Sequence, residues 1–176
     1  MYTIGHSTRG LDEFVALLCA HHVVRLVDVR TIPRSRRHPQ FNREALPGPL
    51  GDAGIAYVHM GGLGGLRKPH AGSVNTGWRN AGFRGYADYM QTPEFATNLM
   101  ALLAHAGATP TAIMCAEAVP WRCHRSLIAD ALVVRGVEVF HIIGLAPAER
   151  HRLTTFARTD GLRITYPADG QERLAL

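Results

Sequence analysis

The sequence predicts an α/β fold, a single three-layer domain with a mostly parallel sheet and helices on both faces. Two observations predict it. Short, nearly continuous apolar runs, typical of buried parallel strands, alternate with segments whose apolar residues recur every three or four positions. This alternation extends over most of the chain without an internal repeat or an interdomain linker, so we expect one domain covering residues 1–176.

Five apolar segments are predicted to be strands of this sheet. The clearest is Val23–Val29, which is apolar apart from Arg25 and Asp28, as suits a strand buried on both faces. We place the strands at Tyr2–Ile4, Val23–Val29, Ile55–His59, Thr111–Cys115 and Val137–Ile143. In the tail, residues 147–176, we expect a short helix and then a strand near residues 162–166.

Four helices are predicted from apolar spacing and from end signals. Cys19 falls on the apolar side of the first helix, which places its thiol in the core. Thr92 and Pro93 form a helix start, as N-cap and first helical residue. We place the helices at 10–22, 42–53 (disturbed by Pro47 and Pro49), 93–105 and 123–135, with Gly136 as the last C-cap. The eight glycines of Gly61–Gly85 predict a long irregular loop.

Composition argues against a membrane or secreted protein. No segment reaches the roughly 18 consecutive apolar residues of a membrane span, and the first residues lack the layout of a secretory signal. Three cysteines are not a disulfide framework, so we expect free thiols, a cytoplasmic location and no membrane partner.

The charge of the chain suits an anionic partner. Lys and Arg exceed Asp and Glu by five, and Lys68 is the only lysine. Arginine binds phosphate and carboxylate through a planar fork. A GC-rich genome would favour arginine as well, so the excess alone does not identify a ligand.

Polar side chains lie at the ends of four predicted strands. They are His6, Asp28 with Arg30, His59, and Cys115 with Glu117. Because ligands of open parallel sheets collect beyond the carboxyl ends of the strands, we expect these side chains to share one site.

The segment Cys115–Arg125 carries the strongest local signal. Arg122, His124 and Arg125 lie at the predicted start of a helix, where the helix dipole disfavours cations. A bound phosphate, sulfate or carboxylate would compensate them, held by free backbone N–H groups and arginine forks. The alternative is a set of internal salt bridges with Glu117, Glu138 or Asp130.

Two uses of the thiols in this segment remain open. A helix start and nearby arginines favour thiolates, so Cys123 is a candidate low-pKa thiol and Cys115 a candidate nucleophile. The layout is similar to that of cysteine phosphatases and rhodaneses, in which Cys is followed by five residues and Arg, but six residues separate Cys115 from Arg122. Together with His124 and with Glu117, His6, His59 or His141, the thiols also supply the donors of a metal site. Since the adjacent Cys123 and His124 suit one ion poorly, no metal ligand is assigned.

The basic loop Pro33–His38 is a second candidate for phosphate contacts, through Arg34 and Ser35. Aromatic residues for base stacking are few, and the best candidates are Phe41, Tyr57 and Trp78. The alternative is a solvated basic loop without a ligand.

Several ordered motifs resemble one known family. They are Thr3-Ile4-Gly5-His6-Ser7, Asp28-Val29-Arg30, Pro33-Arg34-Ser35, Tyr57 with Leu63-Gly64-Gly65, and Cys115-Ala-Glu117 followed by Cys123-His124-Arg125. The chain resembles, from Tyr2 to Ile143, the bacterial and archaeal family called domain of unknown function 488. The resemblance implies a small α/β domain and makes His6, Asp28, Arg30, Cys115, Glu117, Cys123, His124 and Arg125 motif positions. It implies no activity and assigns no roles.

The sequence therefore predicts an anion pocket at the carboxyl ends of the strands, whose ligand carries phosphate, such as a nucleotide or a nucleic-acid end. The candidates for catalysis are Cys115, Glu117, Cys123 and His124. The candidates for ligand binding are His6, Asp28, Arg30, Arg34, Ser35, Tyr57, Arg122 and Arg125. Whether the protein is an enzyme stays open, since a non-catalytic nucleic-acid-binding module or a Cys/His metal-binding protein would carry similar residues. No cofactor or oligomeric state is indicated.

Overall fold

A six-stranded sheet forms the centre of the computed structural model, which describes residues 1–168. Five parallel strands are β1 (Tyr2–Gly5), β2 (Arg25–Asp28), β3 (Ala56–His59), β4 (Thr111–Cys115) and β5 (Phe140–Ile142). The short β6 (Glu149–Arg150) pairs antiparallel with β5. The spatial order is β3-β2-β4-β1-β5-β6, and a separate hairpin contains β7 (Arg158–Asp160) and β8 (Arg163–Thr165).

Helices cover both faces of the sheet, which confirms the predicted α/β class. Alternate residues of each strand point to opposite faces, so that Leu26 and Val27 belong to different hydrophobic clusters. One cluster contains α1 (Leu11–Ala20) and α2 (Pro47–Asp52). The other contains α3 (Ala81–Tyr89), α4 (Pro93–Ala106) and α5 (Arg125–Val133).

The predicted strands and the two clearest helices lie close to their predicted positions. Thr92 caps α4 as expected, because its hydroxyl accepts a hydrogen bond from the Phe95 N–H at 3.2 Å. Gly136 follows α5 with a φ of 78°, a conformation that glycine adopts without strain. However, α5 begins at Arg125, two residues later than predicted.

The prediction of no regular element between residues 61 and 85 was wrong. A 3-10 helix spans Gly61–Leu63, and α3 begins at Ala81. The Asn80 side chain caps α3 by accepting from the N–H groups of Gly82 and Phe83. Tertiary packing then outweighs the low helix propensity of Gly85, since a side chain there would overlap the backbone of Arg67–Pro69.

Three smaller predictions were also wrong. Pro47 starts the short helix α2 rather than disturbing a longer one, because proline suits the first helical turn. The described part of the tail contains strands β6, β7 and β8 and no helix, whereas the strand expected near residues 162–166 corresponds to β8. Cys19 is exposed, because the buried face of α1 is formed by Phe14, Leu17 and Leu18 and Cys19 lies beside that face.

No helix within residues 1–168 is long and apolar enough to cross a membrane.

Candidate functional site

The strand order places a crevice between β1 and β4. After β1 the chain passes into α1 on one face of the sheet, and after β4 it passes into α5 on the other face. The loops after two adjacent strands therefore diverge, and such a switch point is where open α/β sheets bind ligands. The loops remain joined at their start, where the N–H groups of His6 and Ser7 donate to the carbonyl groups of Cys115 and Ala116 at 3.0 and 2.8 Å.

A buried ion pair lies at the end of β2. The Asp28 carboxylate accepts from Arg30 Nε at 2.9 Å and from Arg30 Nη2 at 2.6 Å. The hydroxyl group of Tyr57, on β3, donates a hydrogen bond to the same carboxylate at 2.8 Å. Burial and the Asp28 charge both raise the pKa of Tyr57, so its hydroxyl keeps the proton. Asp28, itself held by Tyr57, thus fixes the orientation of the Arg30 guanidinium.

Arg30 links this ion pair to β1 and retains one donor. Its Nη2 also donates to the Phe41 carbonyl oxygen at 2.6 Å, and its Nη1 lies 3.2 Å from His6 Nε2. These contacts use four of the five N–H groups of a guanidinium. Among the described residues, the second N–H of Nη1 has no acceptor, and Arg30 lines the cavities described below.

His6 is held as a neutral imidazole. Its ring stacks on Phe41 with 4.3 Å between centroids, and burial lowers its pKa to about 4. In the neutral ring, Nδ1 donates to the Ser7 carbonyl oxygen at 3.0 Å and Nε2 accepts from Arg30. His6 therefore positions Arg30 without adding charge.

Two thiols and an imidazole form a cluster at the end of β4. Cys115 is the last residue of β4, and the 3-10 turn Pro120–Arg122 returns the chain so that Cys123 and His124 lie beside it. His124 Nδ1 lies 3.9 Å from Cys115 Sγ and 3.7 Å from Cys123 Sγ. All three atoms lie within 4.8 Å of one another, so the adjacency of Cys123 and His124 does not prevent both from facing one point.

The surroundings of Cys115 favour its thiolate. A hydrogen bond from the Cys123 thiol lowers the pKa of Cys115 most; burial opposes this shift, while the His124 ring and the Arg125 charge add to it. The same contact with Cys115, together with burial, raises the pKa of Cys123. The opposite directions of these two pKa shifts favour a single thiolate in the pair, on Cys115.

Arg125 holds the loop after β4 through hydrogen bonds to its backbone. It is buried, and its Nη1 and Nη2 donate to the carbonyl oxygens of Glu117 and Ala118 at 2.5 and 2.8 Å. Gly5 allows this close approach, since a side chain there would overlap the Glu117 carbonyl oxygen. Arg125 is thus directed at backbone and is not part of the cavity walls described below.

Two adjacent cavities open at these strand ends. The first, which we call the thiol cavity, measures about 410 Å³ and is lined by the Cys115–Cys123–His124 cluster together with Arg30, Glu117 and Arg122. The second, the basic cavity, measures about 540 Å³. It shares Arg30, Glu117 and Arg122 with the first and adds His6, Arg34, Ser35 and His38.

Most of the predicted site residues are brought together, and a few are not. His59 supports the site, because its Nε2 lies 2.9 Å from the Arg30 carbonyl oxygen. Ser35 lines the basic cavity and also shapes its own loop, since its hydroxyl accepts from the His38 N–H at 3.1 Å. His141 belongs to a different cavity. Gly5 and Gly65 belong to the family motifs, but their reason appears only in the structure: a side chain at Gly5 would overlap the Glu117 carbonyl oxygen, and one at Gly65 would overlap the His124 ring.

The alternative of internal salt bridges does not match the structure. Glu138 pairs with Arg150 at 2.9 Å, and Asp130 pairs with His151 at 2.8 Å. Within residues 1–168, neither Glu117 nor Arg122 has an oppositely charged partner within 4.0 Å. Arg122 therefore lines both cavities as a cation without a carboxylate partner in the described part of the chain.

Fold and site together define a doubly wound α/β protein with a thiol–imidazole cluster at its topological switch point. The chain belongs to the family described as Domain of unknown function DUF488, whose model matches residues 10–132. The predicted family is thus confirmed, although the opening motif with His6 lies outside the matched residues. No curated protein and no solved structure matches the chain.

Proposed function

We propose that this protein is a cytoplasmic enzyme that acts on a phosphate-bearing substrate, with the Cys115 thiolate as nucleophile. One observation carries the proposal: the Cys115–His124 contact lies in the wall of a cavity that is also lined by Arg30 and by Arg122, which has no carboxylate partner among residues 1–168. The reducing cytoplasm would keep both thiols of the cluster reduced.

The cations around the thiol cavity support anion binding. Arg30 offers its remaining Nη1 proton, and its orientation is fixed by Asp28 and His6. Arg122 is exposed and free to move onto a ligand. Two guanidinium groups that line one cavity suit the oxygen atoms of a phosphate.

The proposed reaction is the transfer of a phosphoryl group through cysteine. Cys115 Sγ attacks phosphorus, an S–P bond forms, and the P–O bond to the leaving group breaks. The leaving oxygen takes a proton from His124 or Glu117, both of which line the cavity. Water then attacks phosphorus and returns that proton, the S–P bond breaks, and inorganic phosphate leaves with Cys115 restored as thiolate.

A phosphatase assay with p-nitrophenyl phosphate tests this proposal. We expect turnover in the wild type and in Cys19→Ser, whose thiol is exposed and distant from the cluster, and none in Cys115→Ser. Inorganic phosphate should also slow the alkylation of Cys115 by iodoacetamide, followed by mass spectrometry. Turnover that survives in Cys115→Ser, or alkylation that phosphate leaves unchanged, would disprove the proposal.

A metal centre is the second candidate, because three ligand atoms lie within 4.8 Å of one another. Two thiolates and an imidazole are a ligand set that zinc accepts, and the thiol cavity would supply an open fourth position. In that case the purified protein should hold one zinc ion per chain, and Cys115→Ser, Cys123→Ser and His124→Ala should each lose it. Stoichiometric zinc in the wild type would make Cys115 a ligand and would overturn the nucleophile proposal.

A further inference from the structure

A third cavity of about 750 Å³ lies on the other side of the turn that closes the Cys–His cluster. We call it the tryptophan cavity, because Trp78 and Trp121 both line it, together with Arg150, His151 and Arg152. Neither the family nor the proposed reaction assigns a role to these residues.

The turn Pro120–Arg122 joins the tryptophan cavity to the thiol cavity. Trp121 lines the former and Arg122 the latter, although the two residues are consecutive. A ligand that contacts Arg122 with a phosphate therefore has an aromatic surface only one residue away. Because Trp121 and Arg122 are consecutive residues, they suit a ligand in which a short linker joins the phosphate to a flat group.

Trp121 is unusually exposed for a residue of its type. Its exposed fraction is 63%, and within residues 1–168 its ring stacks on no other aromatic side chain. In contrast, Trp78 packs against Phe83 and Phe156, with centroid distances of 4.7 and 4.9 Å. Trp78 is thus part of a rigid wall, while the Trp121 ring is available to a ligand.

Two histidines that line the tryptophan cavity, His141 and His151, belong to a hydrogen-bonded chain. Thr3 Oγ1 lies 2.8 Å from His141 Nδ1, and His141 Nε2 lies 2.9 Å from His151 Nδ1. His151 Nε2 lies 2.8 Å from an Asp130 carboxylate oxygen. Arg152, which also lines the cavity, is exposed and has no carboxylate within 4.0 Å in the described part of the chain. An aromatic face beside free arginine is the combination with which proteins hold nucleobases and their phosphates.

We propose that the tryptophan cavity is a nucleobase subsite, in which the base of a nucleotide or of a nucleic-acid strand stacks on Trp121 while its phosphate lies in the thiol cavity. This inference rests on the proposed function and names its substrate class.

The test compares two uncleavable probes, the methylene phosphonate analogues of adenosine 5′-monophosphate and of ribose 5-phosphate. Isothermal titration calorimetry of the wild type should give an affinity for the adenosine analogue on the order of tenfold higher, because base stacking is sequence-tolerant and strong. Trp121→Ala should abolish this preference and leave the ribose analogue unaffected, whereas Trp121→Phe should keep it. Leu145→Ala, which removes another exposed apolar side chain, is the matched control.

The outcomes separate this inference from the proposed function. If the ribose analogue binds and protects Cys115 but the base adds no affinity, or if the preference survives Trp121→Ala, the nucleobase subsite is wrong and the proposed function stands. If the ribose analogue fails to bind, the phosphate site is wrong, and only Trp121-dependent binding of the adenosine analogue would keep the subsite. A fluorescein-labelled oligothymidylate that binds more tightly than the mononucleotide would identify a strand as the source of the base.

Discussion

Asp28 is the residue on which the orientation of Arg30 depends most. It is fully buried, and its two carboxylate oxygens accept from the Arg30 backbone and guanidinium and from the Tyr57 hydroxyl. A buried ion pair of this kind adds little net stability, but removing one partner leaves the other charge uncompensated. Asp28 therefore fixes an arginine that would otherwise not tolerate burial.

Asp28→Asn should lower the free energy of unfolding by about 3–5 kcal/mol, because it leaves the Arg30 charge buried without a carboxylate. Urea unfolding followed by circular dichroism measures this loss. Asp52→Asn, an exposed carboxylate at the end of α2, is the control and should change stability by less than about 0.5 kcal/mol. Equal effects of the two variants would show that Arg30 does not need Asp28.

At the scale of elements, the segment from Glu117 to His124 is held in place chiefly by Arg125. A planar guanidinium spans two successive carbonyl oxygens, which a lysine ammonium cannot do with the same geometry. The residue was singled out from the sequence as an anion ligand, whereas the structure directs it at backbone. A pattern of charges shows that cations cluster, but not which of them the chain will bury.

Arg125→Lys should lower the free energy of unfolding by about 1–3 kcal/mol, because one loop carbonyl loses its donor. It should also change the rate at which iodoacetamide alkylates Cys115, since the loop that frames the thiol loosens. Arg135→Lys is the matched control, because within residues 1–168 the Arg135 side chain makes one hydrogen bond, to the Ala131 carbonyl oxygen. If both lysine variants behave alike, Arg125 does not organise the loop.

The strands and α4 could be predicted because their signals are local. Apolar runs mark β2 and β4, and Thr92 with Pro93 marks the start of α4. The carboxyl ends of parallel strands meet at one edge of the sheet, so the proximity of His6, Arg30 and Cys115 followed from the fold class. By contrast, α3 contains Gly82 and Gly85 and forms through an Asn80 cap and long-range packing, neither of which a periodic pattern contains.

On the scale of the whole molecule, two buried histidines link β1 and β5 to each other and to neighbouring elements. His6 connects β1 to Arg30, and His141 connects β5 to Thr3 and His151. Burial is the main cause that lowers the pKa of each ring to about 4. As the pH falls, the two rings therefore begin to take up protons in the unfolded chain while they are still neutral in the folded protein.

This difference predicts a pH dependence of stability. An unfolded histidine titrates near pH 6.5, so between about pH 6.5 and pH 4 the unfolded chain binds more protons than the folded protein. Stability should be complete above pH 6.5 and fall as the pH is lowered, with a slope that approaches about 1.4 kcal/mol per pH unit for each histidine. Urea unfolding between pH 7 and pH 5 isolates the effect, because carboxylates remain largely ionised there.

His141→Asn should reduce the slope by about half, whereas His105→Asn, which removes an exposed ring, should leave it unchanged. A slope that is the same in the wild type and in His141→Asn would mean that His141 takes up its proton without unfolding.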